Sequence, residues 1–189
     1  EIPNYDEDYR VKKTTANLDR DHEVVHQRFI TFKQELSKSK EALQQFIDML
    51  PNQSDIKKGL ECFSEQKENF TENVLKFLEN HLSPGSIDVN VVTKVDKDNF
   101  VNGAQLPVIY NDAHVSLRGF ANSKLSSSIV LSAGMNPRLY SYFESFPDFF
   151  PNEKGELKKK IILKVSDLRS AMIQGNFFAK KGLWVSEYR

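Results

Sequence analysis

The chain reads as an α+β protein: a long antiparallel, coiled-coil-like helical hairpin followed by a small, mostly antiparallel sheet with two short helices. Three observations predict this. Apolar residues recur on a 4-3 seam through the first half, the helical signature. After Gly85 the period changes to two, the strand signature. The charge also changes sign: residues 1–85 carry 12 basic and 16 acidic side chains, and residues 86–189 carry 14 and 10. The expected organisation is an extended or disordered arm over 1–16, a helical hairpin over 17–83 and an α+β head over 86–189.

The arm is polar and shows no apolar period. The first seam runs through Leu18, Val25, Phe29, Phe32, Leu36, Leu43, Phe46 and Leu50, with His22 and Ser39 at its two polar positions. Pro51 breaks it, and Ser54 is suited to cap the next helix, with Asp55 favourable to its dipole. The second seam is Ile56, Leu60, Phe63, Phe70, Val74 and Phe77, with Lys67 as the exception, and Pro84-Gly85 ends it. Helices of ~30 residues would be ~45 Å long, and so short a connector makes them antiparallel. Apolar residues off the seam, among them Val24, Ile47, Leu75 and Leu78, exceed what two helices can hide. They are the expected partner-binding positions.

In the head, Ile87, Val89 and Val91 alternate with polar residues as a strand. Asn102-Gly103 signals a hairpin turn. Val108–Tyr110 and His114–Leu117 read as strands, and Ile129–Leu131 as a buried one. Pro137 opens a helix after Asn136. Lys159–Val165 reads as a strand and Asp167–Gln174 as a short helix capped by Ser166 and stopped by Gly175. Residues 177–185 close as a hairpin.

Composition narrows the function classes. Lys+Arg and Asp+Glu are both 26, so no global basic excess points to nucleic acid. Cys62 stands alone, which excludes an intrachain disulfide framework and a multi-cysteine zinc site, and favours a reducing, intracellular compartment. No signal peptide and no transmembrane run is legible, and no cofactor motif occurs.

Two motifs carry possible chemistry. His22-Glu23-Val24-Val25-His26 matches H-E-x-x-H, in which two imidazoles one helical turn apart bind zinc and the glutamate acts on the bound water. No third ligand follows at a recognisable spacing, so a zinc metallohydrolase with metal ligands His22 and His26 and catalytic Glu23 is a remote reading. Lys158, Lys159, Lys160, Lys180 and Lys181 form a basic late segment suited to phosphate, on nucleic acid or an acidic membrane. The aromatic run Tyr140–Phe150 recurs at helical spacing through Leu139, Phe143, Phe146 and Phe150, which makes it a core helix with Tyr140 and Tyr142 off the stripe. The expectation is a non-enzymatic interaction module, acting with a protein partner or a second copy through the stalk, with specificity in the head.

Overall fold

The computed structural model describes residues 7–66, 68–93 and 96–189. The class is α+β, with a long N-terminal helix, shorter helices and a small sheet. Contacts divide the chain into two units, Glu1–His22 with Ser86–Arg189, and Glu23–Gly85.

The long helix α1 is Glu7–Lys38, so residues 7–16 of the expected arm are helical. Tertiary contacts hold this polar stretch: Val11 is buried, and Arg10 donates to Asp112 Oδ1 at 3.0 Å and to the Tyr110 carbonyl at 2.8 Å. Farther along, the Thr15 hydroxyl donates to the Gly119 carbonyl, and Asp19 accepts the Lys124 N–H. Residues 1–6 of the arm lie outside the described residues.

The expected hairpin of two helices is four: α1, α2 (Lys40–Met49), α3 (Asp55–Ser64) and α4 (Phe70–His81). Ser39, the polar seam position, is the break. Its hydroxyl accepts from Ala42 N and starts α2, the local competition that makes serine a cap rather than an interior residue. Ser54 caps α3 as expected, accepting from Lys57 N. Asn69, in the left-handed conformation at φ 54°, separates α3 from α4. Lys67, the seam exception, lies outside the described residues. In the second unit Leu36, Leu43, Ile47, Leu60, Val74 and Leu78 form a buried core flanked by Phe46, Phe63 and Phe77. Gly59 lets α3 meet α4 closely, since a Cβ there would run into the Phe77 ring.

In the first unit the four-stranded sheet is parallel throughout, which corrects the antiparallel expectation. Its strands are β1 (Val89–Val91), β4 (Ser128–Leu131), β5 (Lys160–Leu163) and β6 (Val185–Tyr188), in that spatial order. A separate antiparallel hairpin pairs β2 (Phe100–Val101) with β3 (Ala104–Gln105) through Asn102 and Gly103, both at positive φ, as the Asn-Gly signal predicts. The sheet is parallel because a helix crosses over between each pair of strands. The crossovers are α5 (Asp112–Asn122), α6 (Pro137–Tyr142) and α7 (Leu168–Ala179). His114–Leu117 therefore belongs to a helix, Val108–Tyr110 is a 3₁₀ turn, and residues 177–179 end α7 instead of opening a hairpin.

Register assigns the two faces. Ile129, Leu131, Ile161 and Leu163 turn toward the helices and form one core with Leu117, Phe120, Tyr140, Phe143, Phe149 and Phe178. Asn90, Val130, Ile162 and Glu187 turn the other way. Parallel sheets are usually covered by helices on both faces. On the second face Val130 and Ile162 are buried. Arg189 reaches from Glu187 on β6 (2.6 Å) toward Asp88 before β1 (3.8 Å), and Lys164 reaches Asn90 (3.3 Å).

Candidate functional site

His22, Glu23 and His26 lie in mid-α1. His22 is half-buried, Glu23 and His26 are exposed, and the Glu23 carboxylate accepts from Gln27 at 2.8 Å. Among the described residues no group of three or more His, Cys, Asp or Glu gathers to hold a metal. The two-histidine spacing is therefore met by no third ligand there.

The expected partner-binding positions divide. Val24 is exposed and Leu75 is half-buried, whereas Ile47 and Leu78, at 1% and 0% exposure, belong to the core of their own unit. Part of the surplus judged from two helices is taken up by the core of the helical unit, while Val24, Val25, Phe32 and Met49 stay exposed.

The basic segment also divides. Lys158 pairs with Asp148 and Lys181 with Glu144, each at 2.7 Å. Lys160 and Lys180 are exposed. Lys159 cannot meet phosphate: it is fully buried, and its ammonium donates to the carbonyls of Phe120 (2.7 Å), Ser123 (2.9 Å) and Leu125 (3.0 Å). It is the C-terminal cap of α5, a cation on carbonyls that have no intrahelical partner. Burial pulls its pKa down to about 8, with Asp148 opposing.

The aromatic run is core, as its stripe predicts, but Tyr140 lies inside it. Its hydroxyl donates to Gln174 Oε1 at 2.5 Å, with the Gly134 carbonyl at 3.1 Å, and burial pushes the phenol up to about 12. Gln174 is itself buried on α7. This hydrogen bond ties α7 to α6.

One buried polar cluster was not foreseen. Asp96 accepts Ala113 N–H at 3.0 Å in the first turn of α5 and meets His114 Nδ1 at 2.7 Å. Asn111 donates to Asp98 Oδ1 and the Asp96 carbonyl, and the His114 ring sits 5.2 Å from Tyr142. His114 Nε2 is buried with no hydrogen-bond partner. A carboxylate that orients Nδ1 and leaves Nε2 open is the arrangement of a general base. No substrate reaches this one as it stands, because the imidazole is 1% exposed. What the cluster does in this geometry is fasten residues 96–99 to the start of α5.

The exposed counterpart lies at the opposite edge of the sheet. Trp184, the single tryptophan, is 68% exposed, and Leu168, Met172 and Tyr188 are exposed with it. Two hollows share Ala179, Leu183 and Trp184. One, of about 410 Å³, lies between α7 and β6 and is lined by Met172, Gly175, Val185 and Tyr188. The other, of about 660 Å³, reaches to Pro151, Gly155 and Leu157. The Tyr188 hydroxyl of the first occupies the space that a Cβ on Gly175 would take.

Comparison with known proteins gives no relative. No family model, no curated protein and no solved structure matches the chain. The exposed surface around Trp184 is what distinguishes this edge of the sheet. Its signal was present in the sequence: Leu168, Met172, Gly175 and Ala179 recur at 4-3-4 spacing, a second stripe on α7 apart from the buried Gln174 and Phe178. Reading Gly175 as a helix stop hid that stripe.

Proposed function

We propose that the chain is a non-enzymatic protein-interaction module whose contact surface is the α7–β6 face around Trp184. The observation that carries this reading is a lone, mostly exposed tryptophan standing between two apolar hollows, with Met172, Leu168 and Tyr188 exposed beside it. Contiguous exposed apolar surface is costly to keep in water and marks contact sites, and tryptophan is among the residues that dominate them. The stalk contributes less than its sequence promised, since Ile47 and Leu78 serve the fold. No helix among the described residues is long and apolar enough to cross a membrane.

Selecting random twelve-residue peptides on the purified chain tests the reading. Recovered binders are expected to change the fluorescence of Trp184 or of its surroundings. They should bind Trp184→Ala at least ~30-fold more weakly, the ~2 kcal/mol of an interface anchor, while the variant melts as the parent does. Binders indifferent to Trp184→Ala, or none at all, would remove the proposal.

A further inference from the structure

We infer that this face takes an extended acidic segment of a partner protein, which adds as a fifth strand to the open edge of β6. The inference rests on the reading of the α7–β6 face as an interface, and it names what binds there and how.

Edge geometry comes first. β6 pairs with β5 on one side only, and no strand lies beyond it among the described residues. Arg189 faces β5 with both of its backbone groups, donating to the Leu163 carbonyl and accepting from Val165 N. Glu187 is paired with Ile162 in the same sense. Backbone groups alternate along a strand, so those of Tyr188 point to the free edge, while Ser186 is the extra residue where β6 shifts register, between Val185 opposite Ile161 and Glu187 opposite Ile162. An unpaired edge is a template for another strand, and native proteins usually blunt it. Here it lies exposed beside apolar hollows, the combination that strand-adding peptide sites use: main-chain bonds for affinity and pockets for alternate side chains.

The register shift at Ser186 puts Val185 and Tyr188 on one face. Val185 and Tyr188 turn toward α7 and line the hollow with Met172 and Gly175. Alternate residues of an added strand would turn the same way, so the segment needs apolar side chains at i and i+2. Its other face would lie beside Glu187 and Arg189 and calls for polar residues.

Charge selects the partner. Residues 151–189 hold nine basic and four acidic side chains. Lys154 adjoins Gly155 and Lys180 adjoins Ala179, both of which line the second hollow, and both lysines are exposed and without an ion pair. Acidic residues at the end of the segment nearest Trp184 would neutralise them. A second copy of the chain fits less well, because it presents the same net-basic region, nine basic to four acidic side chains over residues 151–189.

The experiment uses the tightest selected peptide. Its consensus is expected to alternate apolar residues and to carry acidic ones at one end. N-methylating its backbone at alternate positions should weaken binding about tenfold or more in one parity and little in the other. Lys154→Glu with Lys180→Glu should weaken binding about tenfold or more with an unchanged melting temperature and select against acidic peptides. Binders with helical i, i+4 spacing, lost in Trp184→Ala but indifferent to N-methylation, would overturn strand addition and leave the interface standing. Absence of any Trp184-dependent binder would overturn both. A concentration-dependent dimer that blocks the peptide would put a second copy on the edge and overturn the acidic segment.

Discussion

Lys159→Met is expected to lower the stability of the chain by about 3–5 kcal/mol, the usual cost of removing one partner from a buried charged network. The residue is fully buried, and three carbonyls at the end of α5 depend on its protons. Methionine fills the space of the stem but offers no donor, so the Ser123 and Leu125 carbonyls lose the ammonium in a dry site, and the Phe120 carbonyl keeps only its bonds from Ser123 N (3.1 Å) and Oγ (2.7 Å). The Phe120 ring, 4.5 Å from the ammonium, loses its cation as well. The pH dependence gives a sharper check. Burial sets the folded pKa at about 8, below the ordinary 10.5. Below pH 8 both states carry the proton and the fold bears the cost of the buried charge. Between about 8 and 10.5 the unfolded chain binds the extra proton, so stability rises with pH over that window. The full span is about 3 kcal/mol. Urea titrations at pH 7.5 and 10 should show the gap between parent and variant widening at the higher pH. A constant gap would mean that the carbonyls hold the proton on and that burial does not control the site.

Lys159 also shows where the sequence was legible and where it was not. It stands in the basic run that reads as a phosphate contact, and only its position before β5, under the end of α5, makes it a cap. The helical seams were legible because their apolar residues face a core in their own unit: Leu36, Leu43, Leu60 and Val74 were all marked by period alone. The run Ile129–Leu131 was read as a buried strand and is one, at the centre of the sheet. The sense of the sheet was not legible, because it depended on two helices read otherwise. His114-Val115-Ser116-Leu117 alternates like a strand, yet Ala113, Leu117 and Phe120 share the face of α5 that packs on the core. Tertiary packing settled a choice that four residues of pattern left open. On α7, Gly175 resembled a stop because glycine is costly in a helix interior. In the fold the Tyr188 hydroxyl fills the space that a side chain there would take. The interface around Trp184 was obscured by the same misreading, whereas the buried Asp96–His114 pair depends on a contact between residues 18 apart that no local pattern encodes.

That pair supplies the second large effect. Asp96→Ala is expected to cost about 3–5 kcal/mol, because the Ala113 N–H and the His114 Nδ1 would both be left in a site from which water is excluded. The imidazole is 1% exposed and the carboxylate 5%, so solvent cannot replace the lost acceptor. His114→Leu alone should cost less, since it removes the group that needs satisfying and leaves Asp96 its bond to the helix start. The double variant should then be more stable than the sum of the singles predicts, by about 1.5–3 kcal/mol, the coupling of groups in direct contact. Hydrogen exchange should localise the damage to residues 96–106, where Asn99 otherwise donates to the Tyr110 carbonyl and Gln105 to Asp98. This cluster adjoins β1, and Trp184 adjoins β6, at opposite edges of the sheet. Peptide binding at the Trp184 face should therefore survive in Asp96→Ala at temperatures where the variant remains folded. Additive losses in the cycle would show that the two side chains do not depend on each other and that the start of α5 is held by other contacts.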